Sequence, residues 1–220
     1  MTGGSSGIGF TTAKLLAARG ARVAICGRDE AKLTKAAKEI GAMAIHGDVS
    51  VESEAVQLVA QVVHAFDDYN VLVNNAGFGS FGSLLELDLG EMQRVFATNV
   101  FGAMVVARES ARHFAGRSYG NIVNVASSAA LRGFANGTAY VASKFALRGM
   151  TECWRAELRK SNVRVMQINP SEVQTEFYTA RDFNPRKLVA ADIAQAIVAM
   201  LEMEDRGFVT EMSVWATNPD

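Results

Sequence analysis

MTGGSSGIGFTTAKLLAARGARVAIC, residues 1–26, sets three things in a row: a glycine-rich turn, a helix-length run and a short β-branched run. Gly3, Gly7 and Gly9 are spaced G-x3-G-x-G and lead into a helix expected over 8–19. Glycines let the backbone turn tightly and approach a pyrophosphate, while a helix N-terminus offers free N–H groups and a favourable dipole. No Gly-Lys-Ser/Thr follows to hold a terminal phosphate and magnesium, so this is not a Walker loop. A glycine triplet alone can be turn punctuation. Its place at the head of an alternating α/β pattern is what favours dinucleotide binding.

Outward from that turn, short apolar runs alternate with helical ones. Strands are expected at 21–26, 43–46, 71–73, 121–125, 163–168 and 208–215. Most are nearly unbroken apolar runs, as strands buried on both faces are. Helices are expected at 8–19, 30–40, 52–66, 91–114, 140–160 and 191–203, the third capped by Ser50 and the last following a loop with Pro185. Short strand-to-helix links imply crossover connections and a parallel sheet. The expectation is one doubly wound α/β domain over residues 1–220. In that architecture the strand before the phosphate loop is central, where the strand order reverses. Met1 and Thr2 can supply only its last residues, so the first strand is expected to be missing from these 220 residues. The natural polypeptide is then expected to begin about five to ten residues earlier, a strand's length.

Composition excludes several function classes. Of 220 residues 49% are hydrophobic, enough for a full core. A net charge of −1 provides no basic field for nucleic acid or an anionic membrane. Cys26 and Cys153 make no disulfide framework and fit a reducing cytosol. No apolar run approaches the ~20 residues that span a bilayer, and no signal-peptide pattern is present. A soluble cytoplasmic protein is the expectation. His46, His64 and His113 lack ligand spacing, so no metal is expected.

Two further segments carry chemistry. Asn74-Asn75-Ala76-Gly77 follows the 71–73 strand, and ligands of open parallel sheets sit beyond the carboxyl ends of strands. Asparagines there can brace neighbouring backbone and Ala-Gly lets a ribose pass; a strand-end turn is the plainer reading. Asp48 reads either as part of a helix-cap neighbourhood or as a carboxylate accepting from an adenine amino group. Tyr140 and Lys144 lie four apart on one helix and share a face. Ser127 stands at the carboxyl end of the 121–125 strand. A phenol, with an ordinary pKa of about 10, moves protons poorly at neutral pH. A nearby ammonium and an oxidised nicotinamide would both favour the phenolate, and a shift of about three units takes roughly 4 kcal/mol. The Ser127 hydroxyl can hold a substrate oxygen where charge develops. Tyr-x3-Lys alone is a weak signal, and Asn99 alone reads as a polar break in a helix.

TGGSSGIG, NNAG, Asn99, Ser127 and Y140-V-A-S-K144, in this order, resemble the short-chain dehydrogenase/reductase family over essentially the whole chain. The resemblance implies a Rossmann-type fold and a nicotinamide-dependent carbonyl reductase or alcohol dehydrogenase. It makes Ser127, thirteen residues before the tyrosine, catalytic and leaves Ser128 structural. It gives Tyr140 the proton exchange and Lys144 both the tuning of Tyr140 and the ribose hydroxyls. Asn99 would hold a water that links the lysine to a proton relay. Cofactor contacts are implied at Gly3, Ser5, Ser6, Gly7, Ile8 and Gly9, at Asp48 and Val49, and at Asn75, Ala76 and Gly77. NPSEVQT, residues 169–175, resembles the stretch bordering the nicotinamide, with contacts at Pro170, Val173 and Thr175; Ser171 replaces the family's glycine and would strain the turn if positive φ were needed there. In that family the long helices at 91–114 and 140–160 pack across a two-fold axis, so the resemblance implies a homodimer or homotetramer.

NADP is expected over NAD. Gly27 stands where an NAD-preferring relative carries an acid, and Arg28 can pair with a 2′-phosphate or else be a solvated loop charge; Ser6 lacks the extra basic residue of many NADP relatives. The spacing of T175-E-F-Y-T-A-R181 resembles that of family members acting on small 3-hydroxy acids, so Arg181 is expected to meet an acidic substrate, or else to be a surface arginine paired with Glu176 or Asp182, or solvated. A dinucleotide-binding sensor or scaffold that has lost the chemistry is the alternative of a different class. The joint presence of Asn99, Ser127, Tyr140 and Lys144 speaks against it.

Overall fold

The computed structural model of the chain describes residues 1–175 and 183–218. The first half runs α1 (Gly7–Ala18), β1 (Ala24–Gly27), α2 (Glu30–Ile40), β2 (Met43–His46), α3 (Glu52–Ala65) and β3 (Val71–Asn74). Then come α4 (Leu89–Phe96), a π-helical turn (Ala97–Gly102), α5 (Ala103–Arg117), β4 (Gly120–Val125), α6 (Thr138–Leu158) and β5 (Val163–Pro170). The short β6 (Val173–Gln174) and β7 (Leu188–Val189), α7 (Ala190–Leu201) and β8 (Glu211–Val214) complete the described chain. No helix among the described residues is long and apolar enough to cross a membrane.

The strands β3-β4-β5-β8 form a parallel sheet with β4 and β5 inside it, and β1-β2 form a parallel pair. All six residues of β4 and all eight of β5 are buried, so their apolar residues face both sides of the sheet and the polar ones among them (Asn121, Asn124, Arg164, Gln167 and Asn169) are buried as well. The pleat sorts them: Leu72, Ile122 and Val165 meet Leu58, Val106 and Phe114 from α3 and α5. Their neighbours Val73, Val123 and Met166 meet Ile193, Ile197 and Met200 of α7 on the other face.

Met1 and Thr2 join the two sheets. The Met1 amino group donates to Ala24 O (3.0 Å), Cys26 N donates to Met1 O (3.0 Å) and Thr2 N donates to Val73 O (3.1 Å). The two residues thus occupy one strand position between β1 and β3, bridged in parallel to Cys26. Behind them, bounded by Val23, Tyr69 and Val71, lies a cavity of about 540 Å³.

Several boundaries differ from the sequence reading. The strand at 21–26 begins only at Ala24 and the one at 208–215 only at Glu211. Ser50 does not cap α3: Val51 holds that position, and Ser50 donates through N and Oγ to Asp48 Oδ1 (2.9 and 2.8 Å). The helix at 91–114 is longer, running from Leu89 to Arg117, and is not regular throughout. Asp88 caps α4 by accepting from Glu91 N, and the π turn at Ala97–Gly102 intervenes before α5. A wide turn of this kind accommodates a side chain bound outside the helix, here Asn99.

Candidate active site

The carboxyl ends of β1, β3, β4 and β5 open onto one cleft of about 460 Å³. At one side stands the glycine turn. Gly3 and Gly7 have φ of +61° and +53°, conformations that side chains rarely adopt. Ser6 precedes α1 without a side-chain cap, leaving the first-turn N–H groups available to an anion. Asn75 braces this turn, its Nδ2 donating to Thr2 O and Gly3 O (both 3.1 Å). Thr2 Oγ1 accepts from Asn75 N and Ala76 N (both 2.9 Å), which ties the NNAG segment to the turn. Asn74 instead braces the interior, donating to Ala103 O (2.8 Å).

Lys144 and Tyr140 enter from the first half of α6. Lys144 is buried, and its Nζ donates to Val125 O (3.0 Å) and lies 5.7 Å from the Tyr140 ring centroid. Burial pushes its pKa down to about 8. Ser127 leaves β4 in extended backbone, and its Oγ accepts from Ala129 N (3.1 Å). Asn99 is buried behind these groups. Its Oδ1 accepts from Phe78 N (3.0 Å), and its Nδ2 donates to Phe78 O (2.9 Å) and to Ser143 Oγ (3.0 Å). Ser143 Oγ donates in turn to Tyr140 O (2.7 Å), so Asn99 couples the NNAG loop to the tyrosine's own helix.

At the far end, Arg28 Nη1 lies 3.7 Å from Asp48 Oδ2, and His46 Nε2 is 2.9 Å from Arg28 O. The other Asp48 oxygen is engaged by Ser50. Ser171 does not have positive φ, and its N donates to Val214 O (2.9 Å), so serine enters this turn without backbone strain.

Ser127, Tyr140, Lys144 and the expected cofactor contacts line this one cleft, apart from Gly9. Gly9 stands behind the turn, where a Cβ would lie 2.2 Å from Gly3 O, so its job is close packing. Asn99 is likewise not a lining residue. Arg181, Glu176 and Asp182 lie outside the described residues. The sequence reading missed Cys26, Gly47, Phe78 and Thr98, which also line the cleft. Gly47 and Phe78 adjoin recognised positions and could have been found by extending those motifs; Thr98 needed the π turn. Among the described residues no cluster of metal-binding side chains occurs.

Residues 1–184 match the short chain dehydrogenase family. The chain belongs to that family. Its members are nicotinamide-dependent oxidoreductases. The chain is 35% identical over 185 residues to the uncharacterized oxidoreductase YxnA of Bacillus subtilis, covering 80% of this chain and 52% of that protein. It thus spans about half of YxnA's length. It is 38% identical over 182 residues to L-xylulose reductase of Caenorhabditis elegans, covering 80% of this chain and 71% of the relative. An alcohol dehydrogenase of Thermococcus sibiricus, solved with 5-hydroxy-NADP, superposes with a TM-score of 0.92 at 26% identity, covering 100% of this chain and 97% of its own. A 3-ketoacyl-(acyl-carrier-protein) reductase of Brucella melitensis, solved with NADH, gives 0.91 at 28% identity, with coverage of 100% and 96%.

Proposed function

We propose that this short-chain dehydrogenase interconverts a carbonyl compound and a secondary alcohol with NADP(H), Tyr140 exchanging the proton. The observation that carries this reading is the convergence of Ser127, Tyr140 and Lys144 on the same cleft as the glycine turn. The residues fit a dinucleotide. The uncapped N-terminus of α1 would meet the pyrophosphate, and any side chain at Gly3 would crowd Ala76 and Asn75 (3.0 Å). Gly3, Ser5, Ser6, Gly7 and Ile8 would hold the phosphates, with Lys144 at the ribose hydroxyls. When bound, the cofactor supplies or accepts the hydride at the carbonyl carbon.

In the reducing direction Tyr140 Oη gives its proton to the substrate oxygen, and Ser127 Oγ donates a hydrogen bond to the same oxygen as negative charge gathers there. A Lys144 ammonium with a pKa of about 8 is mostly protonated at pH 7, and a cation this near favours the phenolate left on Tyr140. Asn99 acts through position: it fixes the NNAG loop against α6.

For the cofactor, Arg28 supports NADP. Its side chain is 65% exposed at the carboxyl end of β1, held only at 3.7 Å from Asp48, and Gly27 offers no acid to repel a 2′-phosphate. A homodimer or homotetramer is supported by Phe101 and Phe145, exposed apolar rings on the π turn and α6, and light scattering in solution tests it. Free Cys26 and Cys153 support a reducing, cytoplasmic setting. The test of the chemistry is absorbance at the nicotinamide band against a panel of ketones, aldehydes and hydroxy acids. Tyr140→Phe should lose at least about a thousandfold in kcat while binding NADPH as the parent does. Turnover within about tenfold of the parent would overturn the role given to Tyr140.

A further inference from the structure

Two exposed phenylalanines extend outward from Tyr140. Phe81, on the loop after β3, lies 5.5 Å from the Tyr140 ring centroid at an interplanar angle of 59°, and 6.2 Å from Phe134. Both remain about half exposed, at 47% and 51%. Scattered exposed apolar residues mean little, but a contiguous aromatic pair touching a reactive phenol is a surface left open to something.

The pair is also held in place. Gly82 N donates to Asn136 O (2.9 Å), joining the loop that carries Phe81 to the one that carries Phe134. Asn136 takes a left-handed φ of 64°, and Gly137 N donates to Phe134 O (3.2 Å). The Phe134 ring lies over Gly137, where a Cβ would come within 2.6 Å of it. Rings positioned in advance lose little entropy when a ligand arrives.

Charge is distributed the other way. Among the described residues lining the cleft, the charged side chains are Arg28, Asp48 and Lys144. The first two face each other at the far end, and Lys144 Nζ donates to Val125 O. Arg132, two residues from Phe134, lies over the Trp215 ring at 4.8 Å. Beside Tyr140 stands the exposed Phe81 ring, continued by Phe134, and among the described residues lining the cleft the one carboxylate, Asp48, is at the far end.

We infer that the site takes ketones bearing an apolar, ring-sized group beside the carbonyl, with Phe81 and Phe134 as the specificity-determining residues. This rests on the oxidoreductase reading above. The ring packs on the exposed faces of the two phenylalanines while the carbonyl oxygen reaches Ser127 and Tyr140. The carbonyl carbon gains the hydride of NADPH and its oxygen gains the Tyr140 proton, giving the alcohol and NADP⁺.

The test compares acetophenone, acetone, dihydroxyacetone and acetoacetate at saturating NADPH. Acetophenone should exceed acetone in kcat/KM by about tenfold or more, the scale of one buried ring face. In Phe81→Ala and Phe134→Ala that ratio should fall by about fivefold or more, chiefly through KM for acetophenone. Dihydroxyacetone or acetoacetate as the preferred substrate would overturn the inference and leave the oxidoreductase reading standing. An equal loss for every ketone in the variants would overturn it too, by making the rings merely structural. If no carbonyl compound is turned over, the reaction assignment fails, and saturation-transfer NMR of acetophenone with the NADP-loaded protein still decides the aromatic seat. Binding that weakens in both variants supports it; absent or unaltered binding refutes it.

Discussion

Replacing Lys144 by methionine should make the protein more stable while removing its activity. Lys144 is buried, and burial alone takes its pKa from 10.5 to about 8. That difference, about 2.5 units, corresponds to about 3 kcal/mol charged against folding while the lysine is protonated in both states. Methionine has a similar length, needs no solvation and fills the same space. It leaves Val125 O without its donor, at a cost of about 1 kcal/mol. The net gain at pH 7 is therefore about 2 kcal/mol, a rise in melting temperature of about 4–8 °C for a chain this size. The sign with pH follows from the direction of the shift. Because the folded pKa is below the unfolded one, the unfolded chain holds more protons between pH 8 and 10.5. The parent therefore gains stability as pH rises through that window, and Lys144→Met does not. Urea melts of both proteins without cofactor, at steps from pH 7 to 10, should show a gap that shrinks upward in pH. A variant less stable at pH 7, or a gap independent of pH, would refute the reasoning.

Arg28→Ala should weaken NADPH binding by about 10- to 100-fold, the worth of one charge-assisted contact, with NADH affected far less; equal losses in parallel titrations would show that Arg28 does not read the 2′-phosphate. Gly9→Ala places a Cβ 2.2 Å from Gly3 O and 2.5 Å from Asn75 Nδ2. It should cost about 1–3 kcal/mol in denaturant melts together with most cofactor affinity, and tolerance of alanine would mean that the turn can move. A chain extended ahead of Met1 by about six to eight β-branched residues should fill the cavity between β1 and β3 and melt higher than the 220-residue form, since each backbone group it pairs is worth about 1 kcal/mol. Equal melting temperatures would show that the slot needs no strand.

The alternation of strand and helix, the parallel sheet and the order of the motifs were all legible in residues 1–175, because each is a local pattern. Unbroken apolar runs mark strands covered on both faces, and the 140–144 spacing puts two side chains on one face of a helix. Asn99 stood out in the sequence as a polar residue within the helix at 91–114, but the π turn around it was not legible. It depends on Asn99 reaching Phe78 and Ser143, contacts 21 and 44 residues away that no local propensity encodes. Ser50 misled for the same kind of reason: a good capping residue had a better acceptor in Asp48. The aromatic pair beside Tyr140 joins residues 53 apart through a hydrogen bond between two loops (Phe81 and Phe134), and neither residue stands out in its own segment. Periodicity and spacing determine which faces exist. Which faces meet is set by long-range packing and hydrogen bonding, and that is where the proton-transfer groups, their support and the aromatic pair beside them come together.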